Sequence, residues 1–366
     1  MTEKKTVKLS DICILEKGQQ IDTSLLDDSK PYRYINGGIK ESGYFDNFNT
    51  SGESVLISEG GASCGYINYV NEDFWCGCHC YRLHDIKVSP KYLFHALKAN
   101  QQRIMALRTG SAMPNIQKST IQKFDLKIHD DLKIQQNISS MLDKCNVLIE
   151  KHKLILDKYD TLIKSRFIEM FGDPLENSKH WETKNLGNLC EIVRGGSPRP
   201  IDKYLGGNIP WIKIGDATNG DDIYLDKTKE YIIEEGIKKS RLIPEGSLIF
   251  ANCGVSLGFA RIIKFQGCIH DGWLAFQNID KKLNNVFLLK SLNMCTDYFR
   301  KTAPDGTQPN LNTTIMKGFV QILPPINLQN EYVQFVEQID KSKFVVQKSL
   351  EEAETLYKSL MQEYFG

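Results

Sequence analysis

The residues whose types and spacing come nearest to a reaction centre are two serines framed by glycines. Gly61-x-Ser63-x-Gly65 and Gly254-x-Ser256-x-Gly258 both fit the nucleophile-elbow pattern of hydrolases. An elbow needs a strand before it, a helix after it, and a spaced acid and histidine. The full strand–helix context with a spaced acid and histidine is not evident around either serine. The favoured reading is a strand–turn–strand corner that needs glycine at both ends. A second cluster, Cys76-Gly-Cys78-His79-Cys80 with Cys64 and His84 nearby, has zinc-ligating residue types. Structural zinc sites pair their ligands as C-x2–4-C with a second pair further on, and this run does not. Read as one strand, it places Cys76, Cys78 and Cys80 on one face as small buried residues. No G-x-x-x-x-G-K-[ST], no G-x-G-x-x-G after a strand and no H-E-x-x-H occurs. The Asn/Asp-Pro-Pro-aromatic tetrapeptide of amino-methyltransferases and the spaced acid–lysine pattern of many nucleases are missing too. The expectation is a chain with no catalytic residue and no metal site.

Two loops suit a different chemistry. Gly110-Ser-Ala-Met-Pro114-Asn115 follows Arg108 and precedes Lys118; Gly306-Thr-Gln-Pro309-Asn310 follows Arg300-Lys301 and precedes Lys317. Such a loop presents side-chain amides and backbone N–H groups to phosphates. It serves equally as a buried Pro turn that ties a globular unit to the helix after it. Both readings stay open.

These paired features belong to a duplication, the first thing to establish about any fold. Leu162-x-Lys164-Ser165 through Phe171-Gly172 matches Leu356-x-Lys358-Ser359 through Phe365-Gly366 at an offset of 194. Ile134-Gln135 matches Leu328-Gln329 at the same offset, Pro114-Asn115 matches Pro309-Asn310 at 195, and the two glycine-framed serines lie 193 apart. Nearer the starts, Pro31-Tyr32 against Pro210-Trp211 gives 179, and Leu9, Cys13 and Gly18 against Leu186, Cys190 and Gly195 give 177. The second copy has gained about 14 residues between 211 and 254.

Each copy ends in a long amphipathic helix. From Ile134 the apolar positions run Ile134, Ile138, Met141, Cys145, Leu148, His152, Ile155, Tyr159 and Leu162, the alternating 4–3 seam of a coiled coil. A second stripe, Leu142, Ile149, Leu156, Ile163 and Met170, is left over and predicts an exposed docking face. Phe171-Gly172-Asp173-Pro174 stops the helix. Residues 134–171 then span about 57 Å. The second helix starts after Pro324-Pro325 with Asn327 as its cap. Its seam runs Tyr332, Phe335, Ile339, Val346, Leu350, Ala353, Tyr357, Leu360 and Tyr364. Ahead of each helix, Ser54–Ile57 and Ser247–Phe250 read as strands, and 91–107 and 286–300 as helices. The fold class is α+β: two tandem-duplicated α+β units and two long helices forming an antiparallel coiled coil. The boundaries are 1–130, 131–173, 174–323 and 324–366.

Composition bounds the class. The 366 residues are 41% hydrophobic and 25% charged, an ordinary globular balance that excludes disordered and fibrous chains. Net charge is +1, so nucleic-acid binding has to come from local patches. No apolar run approaches a membrane span. MTEKKTVKLSD has no apolar core behind its lysines, which predicts a cytoplasmic protein whose ten cysteines are mostly reduced.

Two α+β units, each with Gly-x-x-Pro-Asn before a long helix and Phe-Gly after it, resemble the specificity (S) subunits of type I DNA restriction–modification systems. The resemblance covers the whole chain. It rests on the duplication, Thr307-Gln308-Pro309-Asn310-Leu311, Leu323-Pro324-Pro325 with Gln329, and the Phe-Gly ends. The first copy departs from it, with Asp130-Asp131 for Pro324-Pro325 and Ala112-Met113 for Thr307-Gln308. The family implies target recognition domains that each read one half of a bipartite asymmetric site in double-stranded DNA. Its helices set the spacing and dock two methyltransferase (M) subunits, through which restriction (R) subunits join. No cofactor is implied on this chain; S-adenosylmethionine, ATP and Mg2+ belong to the partners, and no membrane is involved. Arg, Asn, Gln and Lys pair with base edges. The expected DNA contacts are Lys40, Ser63, Tyr66, Arg108, Asn115 and Lys118 in the first domain. In the second they are Arg194, Lys213, Asn219, Asn252, Ser256, Gln308 and Asn310. The partner-binding stripe is Leu142, Ile149, Leu156, Ile163 and Met170. Two other classes fit the residues less well: a coiled-coil adaptor with two protein- or glycan-binding heads, and a hydrolase using Ser63 or Ser256.

Overall fold

A computed structural model describes residues 4–110, 112–218, 223–254, 256–303 and 310–366. The chain divides into two compact units, Met1–Ile155 with Val346–Gly366, and Leu156–Val345. Each long helix, Leu132–Phe171 and Ile326–Phe365, therefore contributes one part to each unit. At 1.5 Å per residue each helix is about 60 Å long.

In the first unit an antiparallel sheet runs in the order Ile14–Lys17, Cys80–His84, Ser54–Ser58, Ile67–Val70. A smaller sheet, Tyr44–Phe45, Tyr32–Ile35, Trp75–Cys76, covers one face, its last pair parallel. Because side chains alternate across a strand, Val55 and Ile57 enter the main core with Leu93, Ala96 and Ile138, while Leu56 packs with Ile35 and Phe74 under the smaller sheet. A strand buried on both faces has no polar alternation, which is why 54–57 reads as a plain apolar run.

The second unit repeats this plan. Its main sheet orders Glu191–Arg194, Trp273–Gln277, Leu248–Ala251, Ala260–Ile263 and Tyr224–Leu225. Leu248 and Phe250 face one core, Ile249 and Ala251 the other. Tyr224–Leu225 and the strand Arg241–Ile243 have no counterpart among the described residues of the first unit. Both fall within 211–254, where the copies differ in length.

The helix expected over 91–107 is two helices, Pro90–Ala99 and Gln101–Met105, and that over 286–300 is Asn285–Met294 and Thr296–Thr302. Both breaks, at Asn100 and Cys295, lie 195 apart. Asn327 is not the cap of the second long helix. That helix begins at Ile326, and the Pro325 carbonyl accepts the first turn's bonds from the N–H groups of Leu328 and Gln329. Gly172 closes the first helix in the left-handed region at φ 78°, its N–H donating to the Ile168 carbonyl at 2.8 Å.

The helix ends explain the Phe-Gly repeat. Phe171 packs on Phe287 of the second unit, ring centroids 4.9 Å apart, and Phe365 packs on Tyr92 of the first at 5.2 Å. Each long helix starts on its own α+β segment and finishes on the other. The seam residues Ile138, Cys145, Tyr332, Leu350 and Ala353 are buried. The first helix, however, turns a different column inward. Leu142, Ile149 and Ile163 are 0%, 7% and 4% exposed, whereas Met141, Leu148, Ile155 and Leu162 are all more than a third exposed. The inward seam is 138, 142, 145, 149, 152, 156, 159, 163. The stripe expected to be exposed belongs to this chain's own core, with Leu156 and Met170 half-buried. The cause is the α+β segment: Leu142 joins Tyr92, Leu93 and Ala96, and Met170 packs against the second unit's core.

Candidate nucleic-acid interface

Both glycine-framed turns join two antiparallel strands, not a strand and a helix, so neither serine sits on a nucleophile elbow. Gly61 and Gly65 hold φ of 75° and 85°, and Gly254 and Gly258 hold 72° and 93°. Cβ-bearing residues rarely adopt these values, which accounts for glycine at both ends. The backbone bonds repeat. Gly65 N–H donates to the Ser58 carbonyl at 2.8 Å, and Gly258 N–H to the Ala251 carbonyl at 2.9 Å.

The Pro-Asn loops close on these turns. Ile116 N–H donates to the Glu59 carbonyl at 2.9 Å, and Leu311 N–H to the Asn252 carbonyl at 2.8 Å. Ile116 and Leu311 are fully buried and anchor the loops by their side chains. The loop is thus a tie at its buried end, while Asn115 and Asn310 are half-buried at the junction.

In the first unit this junction collects Ser63, Tyr66, Arg108 and Asn115. The Ser63 carbonyl accepts from Tyr66 N–H at 2.9 Å, and the Lys98 ammonium lies 3.8 Å from the Tyr66 ring centroid. Burial raises the Cys64 thiol pKa, and the nearby Arg108 charge opposes it. Asn115 Oδ1 accepts from Gln117 Nε2 at 3.5 Å. Lys118, exposed, opens the short helix Lys118–Gln122, and Lys40 lies exposed in the loop that Asn68 ties down through the Gly38 carbonyl.

In the second unit Ser256 is half-buried at the turn. Asn252 is not a surface side chain. It is fully buried at the strand exit and donates from Nδ2 to Asn310 Oδ1 at 3.3 Å. Lys213 is ion-paired with Glu230, and its backbone N–H donates to Asp216 Oδ2 at 2.8 Å. Arg194 is exposed, its Nε bonded to the Asp271 carbonyl at 3.0 Å. Asn219 and Gln308 lie outside the described residues.

Sequence reading missed several groups here. Glu59, 7% exposed, accepts from Lys17 Nζ at 2.8 Å and from the Tyr81 hydroxyl at 3.0 Å. Asn252 holds its place in the second copy, and Arg194 holds that of Lys17. The offsets of 193 and 177 would have paired both. His270 is a further one. Burial holds its pKa below the usual value; Asp271 opposes this, and the charges of Lys213, Arg199 and Arg194 reinforce it. The Cys76–Cys80 run is not one strand. Strands end at Cys76 and resume at Cys80, so Cys78 lies half-exposed in a turn while Cys76 and Cys80 are buried. Among the described residues no group of three or more His, Cys, Asp or Glu is placed to hold a metal ion. No helix among them is long and apolar enough to cross a membrane.

Two related α+β units, each carrying a polar turn-and-loop junction and each including parts of both long helices, define a duplicated architecture. The chain belongs to the type I restriction–modification DNA specificity family, whose domain model matches residues 1–158 and 178–355. A putative type I specificity subunit of Mycoplasma pneumoniae is 31% identical over 58% of this chain and 59% of its own length. One from Mycoplasma genitalium is 23% identical over 96% of this chain and 91% of its own. The EcoDI specificity subunit of Escherichia coli is 22% identical over 98% and 86%. The crystal structure of an S subunit from M. genitalium superposes with a TM-score of 0.72 at 20% identity, covering 100% of this chain and 96% of that one. A chain from a study of type I complex assembly and conformational transition gives 0.59 at 13%, covering 99% and 97%. These two establish the shared fold.

Proposed function

We propose that this chain is the sequence-reading subunit of a type I restriction–modification complex, and that each head reads one half of a bipartite, asymmetric site in double-stranded DNA. One observation carries the reading. The same turn-and-loop junction recurs in both heads with the same backbone bonds but different chemistry: Glu59 bonds Lys17 in one, while in the other Asn252 bonds Asn310 and Arg194 bonds the Asp271 carbonyl. Equal scaffolds with unequal side chains suit two different half-sites. The contacts proposed at the junctions are Ser63, Tyr66, Arg108 and Asn115 in the first head and Ser256, Asn310 and Arg194 in the second, with the exposed Lys40 and Lys118 as further contacts of the first. The long helices set the spacing between half-sites and dock two methyltransferase subunits, through which restriction subunits join. S-adenosylmethionine, ATP and Mg2+ belong to those partners; this chain supplies specificity and no reaction. The recognition domains are proposed at 1–130 and 174–323, with spacer helices between and after them.

The test is exchange of residues 177–320 for the second head of another family member, in a complex with co-expressed methyltransferase. One half of the methylated sequence should change and the other should not. A change in both halves, or in neither, overturns the modular reading.

A further inference from the structure

Each unit holds a groove where cations outnumber carboxylates. In the first, about 690 Å3, Lys98, Arg103, Lys127 and Lys358 line the groove, with Asp125 the side-chain carboxylate among the described lining residues. In the second, about 420 Å3, the cations are Lys164, Arg261, Lys290 and Arg300 and the carboxylate is Asp160, already bonded to Lys343 Nζ at 2.5 Å. The whole chain carries only +1, so these charges are gathered and not merely abundant. Arg261 and Lys290 are 8% exposed, so Lys164 and Arg300 present the second groove's accessible positive charge, which a polyanion complements.

The two grooves are built from the same pieces. Tyr357-Lys358 and Ile163-Lys164 are equivalent at an offset of 194, and Lys98-Ala99 and Asn293-Met294 at 195. Their other walls differ: the first runs past Thr6, Asp125 and Lys127, the second past Ser256. In the second unit a groove cation touches the glycine-framed turn itself, and in the first it touches the start of the strand that leaves the turn. Lys98 Nζ donates to the Ile67 carbonyl at 3.3 Å, and Arg300 Nε to the Leu257 carbonyl at 3.2 Å. Lys164 and Lys358 are exposed and lie outside the coiled-coil seam, so neither helix packing nor core burial calls for lysine there.

We propose that both grooves seat the phosphodiester backbone of the duplex whose bases the adjoining turns read, with Lys164 and Lys358 as equivalent phosphate contacts. This rests on the reading that the turns face DNA. Contact between groove and turn favours the duplex over a free anion or an acidic protein face.

The experiment measures duplex binding by the methyltransferase-bound chain across a salt series, with Lys164→Gln, Lys358→Gln and both. Each lost contact should lower the slope of log affinity against log salt by about 0.9, roughly eightfold weaker binding at 0.1 M salt. Target and non-target duplexes should weaken alike, leaving their ratio unchanged, and Lys→Arg should restore the slope. An unchanged slope in a complex of unchanged mass overturns the proposal. So does loss of a methyltransferase subunit with no change in slope, which would make the grooves protein seats. Displacement of the duplex by inorganic phosphate at matched ionic strength would reassign them to a free anion. Failure of the unaltered complex to distinguish any sequence would instead refute the two-head reading, and the salt slopes would still report on the grooves.

Discussion

Gln329 repeats at the start of the second long helix the two bonds that Gln135 makes at the start of the first. Gln135 Nε2 donates to the His129 carbonyl at 2.7 Å, and its Oε1 accepts from Ser89 N–H at 2.9 Å. Gln329 Nε2 donates to the Pro324 carbonyl at 2.8 Å, and its Oε1 accepts from Asn284 N–H at 2.9 Å. Both are almost fully buried. Each pins a long helix to the residue that starts the short helix it packs on, Pro90–Ala99 or Asn285–Met294. Leucine at either position leaves a buried carbonyl and a half-buried N–H without their partner, at up to roughly 1–3 kcal/mol each. The expected loss is about 2–5 kcal/mol, confined to one unit and read by urea unfolding. A change below about 0.5 kcal/mol would show that the pin is ornamental.

Gly18 and Gly195 make a second matched pair. Each lies against the backbone of the smaller sheet's connection, where a Cβ would collide with the carbonyl of Gly77 or of His270. Alanine at either site should cost at least about 2 kcal/mol, because backbone cannot step aside as a side-chain end can. Gly318 meets nothing within 4 Å and holds no left-handed φ, so Gly318→Ala should be neutral or slightly stabilising. Equal effects at all three would show that helix and strand propensity, not close approach, sets the requirement.

These pairs show what the residues alone reveal. The offsets of 194 and 177 locate Gln135 with Gln329 and Gly18 with Gly195 without coordinates, because duplication carries local geometry with it. The choice between the columns headed by Met141 and Leu142 is not legible in the same way. Both repeat at seven, both are apolar, and only the packing of Pro90–Ala99 on the Leu142 side decides. Loop residues lack even a period. Asn252 and Ser256 look alike as polar turn residues, yet one is fully buried and bonded to Asn310 while the other borders a groove. Glu59 escaped notice because its partners, Lys17 and Tyr81, come from distant strands.

Acid should loosen both units. His95, His129 and His270 all have pKa values below the ordinary 6.5, with burial the largest cause in each. His95 lies 2.9 Å from Asp143, which opposes the shift without reversing it. The unfolded chain therefore binds protons first as pH falls through 6.5, and stability is lost between that value and the folded pKa. Lys98 acts at the other end. Burial brings it down to about 8, so stability rises as pH climbs from there toward 10.5. Thermal melts from pH 5 to 10 should show both trends, and His95→Gln should flatten part of the acid limb. A melting temperature that rises on acidification below 6.5 would contradict the burial argument.

The outward column of the first long helix is where a partner should dock. Val147 and Leu148 are 53% and 46% exposed, large apolar side chains on a helix whose seam already holds Leu142 and Ile149. They border a shallow groove with Lys91, Asp143 and Lys151, an apolar centre with a charged rim, as protein interfaces have. Covering a Val or Leu contributes roughly 1.5–3 kcal/mol, so Val147→Asp with Leu148→Asp should weaken a methyltransferase subunit's hold about a hundredfold or more. The recognition heads should keep their circular dichroism and melting temperature, since neither side chain enters a core. Leu142→Asp is the contrast. It places a charge among Tyr92, Leu93 and Phe365, and should unfold the first unit before any question of docking arises. Light scattering on the co-expressed complex separates the two outcomes. Full assembly of the double variant at unchanged mass and affinity would show that the partner sits on another face of the helices.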